Sequence, residues 1–104
     1  MFKNFQDFKE FCELIANQHH TGVEFHEYPE YRFGQATFMT DKFGGTYCCF
    51  KFDYDTLEVV DSFDTEIKPY TNYADLIIHI AERREREESL RNFDELYDFI
   101  NSQY

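Results

Sequence analysis

The stretch TYCCFKFDYDTLEVVDSF, residues 46–63, gives the clearest indication of the fold, because it contains two apolar runs separated by a short acidic tip. Both runs are rich in aromatic and β-branched residues, which favour strands. We predict an antiparallel hairpin in which Phe52 faces Leu57 across a four-residue loop and Phe50 faces Val59 on the same side. A shift by one residue would turn this apolar set outward, so the hydrophobic pattern sets the two faces of the sheet.

The sequence before this hairpin has a similar composition. Residues 23–28 and 31–40 are also rich in aromatic and β-branched residues. Pro29 separates the two runs, and Gly44 and Gly45 follow the second, so turns are expected at both places. The simplest interpretation is four short strands in an antiparallel meander.

Three segments carry the signature of a helix start. Asn4, Asn72 and Asn92 are each followed by an aromatic residue and, three positions after the Asn, by an acid. Asn accepts a hydrogen bond from a free backbone N–H group, and the acid complements the positive end of the helix. The apolar residues after each Asn recur at helical spacing and predict three helices, at residues 5–18, 72–88 and 93–102. The predicted architecture is α+β, with an N-terminal helix, a four-stranded antiparallel sheet and two C-terminal helices packed on one face.

The composition is that of a single folded domain, residues 1–104, with 42% hydrophobic residues. No apolar run reaches the roughly 18 to 20 residues that span a bilayer, and the N-terminus lacks the apolar core of a signal peptide. The three cysteines, Cys12, Cys48 and Cys49, form neither an even disulfide framework nor a CxxC pair. We therefore expect a cytoplasmic protein without membrane contact.

The net charge of −11 is concentrated in the middle of the chain, since residues 23–66 hold ten acidic and three basic residues. Such a charge repels nucleic acid and anionic membranes and attracts basic surfaces. In the predicted hairpin, Asp53 and Asp55 lie at the tip and Glu58 lies on the open face of the sheet. The predicted partner-binding set contains these acids, their neighbours and one tyrosine: Asp53, Tyr54, Asp55, Glu58, Asp61, Asp64 and Glu66.

Neither a metal centre nor a catalytic site is predicted. A calcium loop that starts at Asp53 fails at its fifth, sixth and twelfth positions, and the histidines form no pair with metal-ligand spacing. No serine stands in a nucleophile-elbow or phosphate-loop pattern. An enzyme that pairs Cys48 or Cys49 with His26 is an alternative that residue types alone leave open. We expect no cofactor.

The overall character is similar to that of DNA-mimic inhibitors, which include phage anti-restriction and anti-CRISPR proteins. The chain is short, strongly acidic and aromatic, as such inhibitors are, and it carries no catalytic motif. This resemblance lies in composition and assigns no residue. It implies a small non-enzymatic inhibitor that occupies a basic nucleic-acid-binding surface of another protein, such as a nuclease. The alternative is a general interaction or scaffold domain, including one that forms a homodimer through an aromatic face.

Overall fold

The computed structural model describes the backbone of residues 1–40 and 45–102, and the side chains of the same residues outside 89–99. The elements are, in chain order, α1 Phe5–His19, β1 Gly22–Tyr28, a 3-10 turn Pro29–Tyr31, β2 Phe33–Met39, β3 Thr46–Asp53, β4 Val59–Asp61 and α2 Tyr73–Ser102. The predicted α+β class is confirmed. The turn predicted at Gly44 and Gly45 lies largely outside the described residues. Neither helix, within the part described, is long and apolar enough to cross a membrane.

The four strands form one antiparallel sheet in the order β1-β2-β3-β4, so the predicted meander is also confirmed. The register of its last hairpin differs from the prediction by two residues. Phe52 pairs with Val59 instead of Leu57, and Phe50 pairs with Asp61 instead of Val59. Because side chains alternate between faces with a period of two, this shift leaves every residue on its predicted face. The shift does, however, make Asp61, which is also on the inner face, the cross-strand neighbour of Phe50.

The register differs because the turn lies one residue further along the chain than predicted. The N–H of Asp53 donates to the carbonyl of Glu58 at 3.0 Å, which leaves four residues between them. The last of these is Leu57, whose φ of 62° is in the left-handed region. Leu57 therefore belongs to the turn and is 39% exposed, whereas Val59, also assigned to the core, is fully buried.

Helix α1 begins and packs as the sequence predicts. The side chain of Asn4 accepts the N–H of Asp7 at 2.9 Å and caps the helix. The ring of Phe8 stacks on that of Phe52 with centroids 5.5 Å apart. The residues of α1 that recur at helical spacing are buried in the core: Phe5, Phe8, Cys12 and Ile15.

A glycine in β2 sets how closely α1 approaches the sheet. A Cβ added at Gly34 would overlap the ring of Phe5. That ring has little freedom to move away, because it packs between Phe8, Phe25 and Phe52, with centroids 5.9 to 6.2 Å apart. The missing side chain at Gly34 therefore allows α1 to lie directly on the strand.

Helix α2 is one continuous helix where the sequence predicts two. Its start is as predicted, since the side chain of Asn72 accepts the N–H of Asp75 at 2.9 Å. The helix then runs through Asn92, the site of the second predicted cap, to Ser102. Residues 82–102 contain neither Gly nor Pro and are rich in Glu, Arg and Leu, which favour helix interiors. A capping residue alone does not interrupt such a helix.

Both helices contribute to one hydrophobic cluster on a single face of the sheet. From α2, Leu76 and Ile80 are fully buried in it, while Tyr73 and Ile77 of the same predicted stripe remain 47% and 38% exposed. Most of the aromatic residues of the two central strands point into the same cluster. The abundant phenylalanine is thus largely used for packing inside one domain.

Candidate protein-interaction site

The turn between β3 and β4 is fixed by the side chain of Asp53. Its Oδ1 accepts the N–H groups of Asp55 and Thr56, at 2.8 and 2.9 Å. These hydrogen bonds, with Thr56 contributing more than Asp55, hold the pKa of Asp53 below its ordinary value of 3.8. The carboxylate is therefore charged at neutral pH, and the backbone around it is ordered by the residue itself.

Two side chains connect this turn to the far end of the β1–β2 hairpin. Arg32 donates to Oδ1 of Asp55 through Nε at 3.3 Å and through Nη2 at 2.9 Å. The hydroxyl of Tyr54 donates to Oε1 of Glu27 at 2.8 Å, and burial, followed by this bond, raises the pKa of Tyr54 to about 12. The Arg32–Asp55 pair is exposed and adds little stability, but it offsets part of the negative charge of the turn.

Asp61 does not belong to the surface on which the sequence analysis placed it. It is 4% exposed, and its Oδ1 accepts the N–H groups of Phe63 and Asp64, at 2.7 and 2.9 Å. Its Oδ2 lies 2.9 Å from Nε2 of His79 on α2, a close polar contact outside hydrogen-bond geometry. The physical reason is strand alternation, which puts residue 61 on the same inner face as the buried Val59, and the register then sets it opposite Phe50. Asp61 is therefore removed from the predicted partner-binding set.

The surroundings of His79 are aromatic and closed. The rings of Phe50 and Tyr70 lie 5.8 and 5.5 Å from the imidazole, centroid to centroid. The buried hydroxyl of Tyr70 has no hydrogen-bond partner among the described residues. Burial, and then the charge of Asp61, raises the pKa of Tyr70 to about 12. This cluster joins β4 to α2 and has a structural role.

The segment after β4 combines acids with an exposed ring. Oδ1 of Asp64 accepts the N–H of Glu66 at 3.1 Å, so this carboxylate also orders its own backbone. Phe63, two residues after the buried Asp61, is 66% exposed. Strand alternation would have placed Phe63 inward, but β4 ends at Asp61 and the chain turns away. Sequence periodicity therefore gave no signal for this exposed ring.

The structure divides the seven predicted residues into three groups. Asp53, Tyr54, Asp55 and Glu58 come together at the β3–β4 turn. Asp64 and Glu66 lie beyond the other end of β4, about 10 Å away along a three-residue strand. Asp61 lies between the two groups and points into the core. Two exposed apolar residues, Leu57 and Phe63, were missed; Leu57 was instead assigned to the core.

The thiols are arranged unfavourably for nucleophilic chemistry. Burial raises the pKa of Cys12 and of Cys48 above the ordinary value, which favours the unreactive thiol. Cys48 lies in the core, whereas Sγ of Cys49 accepts from Nε2 of Gln35 at 3.0 Å, so the two point to opposite faces of the sheet. The other candidate partner, His26, is in β1, two strands away from Cys49, a separation of about 10 Å. The proposed pairing with His26 is therefore not formed.

Over the residues that the structure describes, no group of three or more His, Cys, Asp or Glu side chains is arranged to hold a metal ion. No protein-family model matches the chain, and neither does any curated protein or solved structure. The function is therefore argued from the geometry of this molecule alone.

Proposed function

We propose that this protein is a small non-enzymatic inhibitor that occupies a basic, nucleic-acid-binding surface of another protein. The contact surface is residues 53–66 without the buried Val59 and Asp61, and we name it the acidic edge. One observation carries the proposal: two large apolar side chains, Leu57 and Phe63, stand exposed among the carboxylates of this edge. Apolar anchors surrounded by polar and charged groups are typical of a protein interface, whereas a loop that only aids solubility needs no such anchors.

The acidic edge is ordered before any partner binds. Asp53 and Asp64 accept hydrogen bonds from their own following backbone, and Tyr54 is held against Glu27. A surface that is already ordered loses little conformational entropy on binding. This favours recognition over a solvated, freely moving loop.

The charge of the edge selects the partner. Asp53, Glu58, Asp64 and Glu66 carry no ion pair with a described side chain, so their charges are available to Lys and Arg of another protein. Proteins that bind nucleic acid present such basic groups to phosphates, and a nuclease is one example. With a net charge of −11, the protein does not bind nucleic acid itself.

The burial and free state of the three thiols fit a non-enzymatic role in the cytoplasm. Cys12, Cys48 and Cys49 are all free and buried, an arrangement at home in a reducing compartment. Since burial keeps two of them protonated, we assign them to packing. The proposal requires no metal, cofactor or catalytic residue.

The test is a pull-down from a cell lysate with two charge variants of equal size. The first variant, Asp53→Asn, Asp55→Asn and Glu58→Gln, removes three charges from the acidic edge. The matched control removes three exposed charges from the helices: Glu10→Gln, Glu82→Gln and Glu85→Gln. Basic proteins should be retained by the wild type and the control, lost by the edge variant, released as salt rises and displaced by excess double-stranded DNA. If the edge variant retains its partner normally at low salt, the proposal is wrong.

Exposed rings at the β1–β2 turn favour a second candidate, an interaction domain that forms a homodimer. Tyr31 is 72% exposed, and Tyr28, 40% exposed, stacks on Phe33 with centroids 4.9 Å apart. Such rings are common in interfaces. Sedimentation should then show a dimer that Tyr31→Ser weakens and that salt hardly affects, whereas the inhibitor proposal predicts a monomer.

A further inference from the structure

The outer edge of β1 is open, and its free backbone groups can be identified residue by residue. β1 is the first strand of the sheet and pairs only with β2. The N–H of Tyr54 donates to the carbonyl of Arg32 at 3.0 Å, which continues the β2–β3 ladder. This bond shows which residues of β2 bond to β3 and which bond to β1. Because donors and acceptors alternate along antiparallel strands, the even-numbered residues of β1 bond to β2. The N–H and carbonyl groups of Val23, Phe25 and Glu27 therefore point outward.

No described residue forms a backbone or side-chain hydrogen bond with these outward backbone groups. The other edge of the sheet is different, because the N–H of Tyr70 donates to the carbonyl of Val59 at 2.9 Å and covers β4. β1 is seven residues long and contains no proline or bulge. A regular open edge of this length is a template for another strand.

The side chains beside this edge define what kind of strand it accepts. Glu24 stands on the sheet face away from the helices, with its side chain 61% exposed, and Glu27 flanks the other face. At the start of β1 there is a cleft of about 330 Å³ between the strand and α1. Its lining contains one charged residue, a carboxylate, together with polar and small groups: Glu13, Ala16, Asn17, Thr21, Gly22 and Val23. Amide, hydroxyl and carboxylate oxygens in one cleft suit a lysine or arginine side chain.

We propose that an extended, lysine- or arginine-containing segment of another protein adds to the edge of β1 as a fifth strand and places one basic side chain in the cleft beside Glu13. Backbone hydrogen bonds to Val23, Phe25 and Glu27 supply affinity, and the carboxylates supply selectivity. A second copy of this chain is a poorer occupant, because it carries the same net charge of −11. This surface is centred on β1, at the edge of the sheet opposite β4, and meets the acidic edge where Glu27 accepts the hydroxyl of Tyr54.

The test uses the purified protein and a capped peptide as long as β1 in which lysine alternates with threonine. Amide hydrogen exchange should slow at Val23, Phe25 and Glu27 when the peptide is added, while Glu24 and His26 are already protected by β2. This alternation separates strand addition from non-specific attraction, which protects no amide selectively. The matched peptide with glutamate in place of lysine should have no effect.

Two variants of one residue then test the backbone contact. Val23→Pro removes an outward N–H without breaking a bond to β2, and an outward position on an edge strand tolerates proline. Val23→Ala removes most of the same side chain but keeps the N–H. We expect Val23→Pro to weaken peptide binding by about tenfold or more relative to Val23→Ala, with both variants folded. Equal binding by the two variants overturns the proposal, as does a peptide that protects none of the three amides. If the wild-type protein is a dimer in which these amides already exchange slowly, the fifth strand is a second copy of this chain and not a basic segment of another protein.

Discussion

Asp53 and Asp61 make the same local structure and have opposite surroundings. In both, Oδ1 accepts the N–H groups of the residues two and three positions later, at 2.8 and 2.9 Å for Asp53 and at 2.7 and 2.9 Å for Asp61. The hydrogen bonds of Asp53 lie at an exposed hairpin turn. Asp61 directs its remaining oxygen to His79 in the interior. The short sequence around an aspartate thus predicts its turn, but the position of the residue in the sheet determines whether its charge is displayed.

The difference in surroundings should give a large difference in energy. An exposed carboxylate can exchange a lost hydrogen bond for one with water, whereas a buried one leaves its partners without any. Asp61 has two such partners, the N–H groups of Phe63 and Asp64, and it also lies in close contact with His79.

The largest effect is expected for Asp61→Ala. Removing the buried carboxylate leaves the N–H groups of Phe63 and Asp64 without an acceptor, at about 1 to 3 kcal/mol for each, so the free energy of unfolding should fall by about 2 to 5 kcal/mol. Urea denaturation of the variant and the wild type measures this difference. Asp61→Asn is the control, since it can keep an oxygen for the two N–H groups and should lose less. If Asp61→Ala costs no more than Asp53→Ala, the comparison fails.

A double-mutant cycle isolates the contact between Asp61 and His79. The variants are Asp61→Asn, His79→Gln and both together, and the coupling energy should lie at about 1 to 3 kcal/mol. The same cycle between Asp53 and His79 is the negative control and should give no coupling, because no contact joins them. Purely additive effects of Asp61 and His79 would mean that their 2.9 Å approach contributes nothing to stability.

A smaller effect is expected for Asp53→Ala. The N–H groups of Asp55 and Thr56 then bond to water, so the free energy of unfolding should fall by about 1 kcal/mol. Asp53→Asn keeps the oxygen acceptor but loses the charge, so at neutral pH it should be less stable than the wild type and more stable than Asp53→Ala. Thermal unfolding of the two variants and the wild type measures how much this turn contributes to stability. A loss above about 3 kcal/mol would mean that the tip is as critical as the interior.

The smallest effect is a pH dependence that belongs to Asp53. Its pKa in the folded protein is below the ordinary value of 3.8, so its ionisation stabilises the fold above that pH. The stabilisation is lost as the pH falls through the folded value. The difference in unfolding free energy between the wild type and Asp53→Asn should therefore shrink between about pH 5 and pH 2. A constant difference over this range would contradict the assigned hydrogen bonds.

The sequence was sufficient for the faces of the elements and insufficient for their exact placement. The caps at Asn4 and Asn72 and the inward set Phe50, Phe52 and Val59 follow from local chemistry and from alternation. The hairpin register does not, because a shift of two residues leaves the alternation unchanged and depends on Leu57 adopting a left-handed conformation that its type disfavours. Alternation alone, counted on from Val59, would have turned Asp61 inward.

The continuous α2 illustrates the same limit. An N-cap signal marks where a helix can start, but an interruption also requires residues that end the preceding turn. Around Asn92 the chain has none. The predicted meander already puts β1 at an edge, but the groups that point outward from it depend on the hydrogen bonding of the assembled sheet.

The contact between Gly34 and Phe5 restricts how this sequence can evolve. A side chain at position 34 would overlap a large ring at position 5, so the two positions cannot vary independently. In any chain that shares this fold, Ala or a larger residue at position 34 should occur together with a residue smaller than Phe at position 5. A pair of distant positions that substitute together in this direction would identify relatives whose overall sequence similarity has been lost.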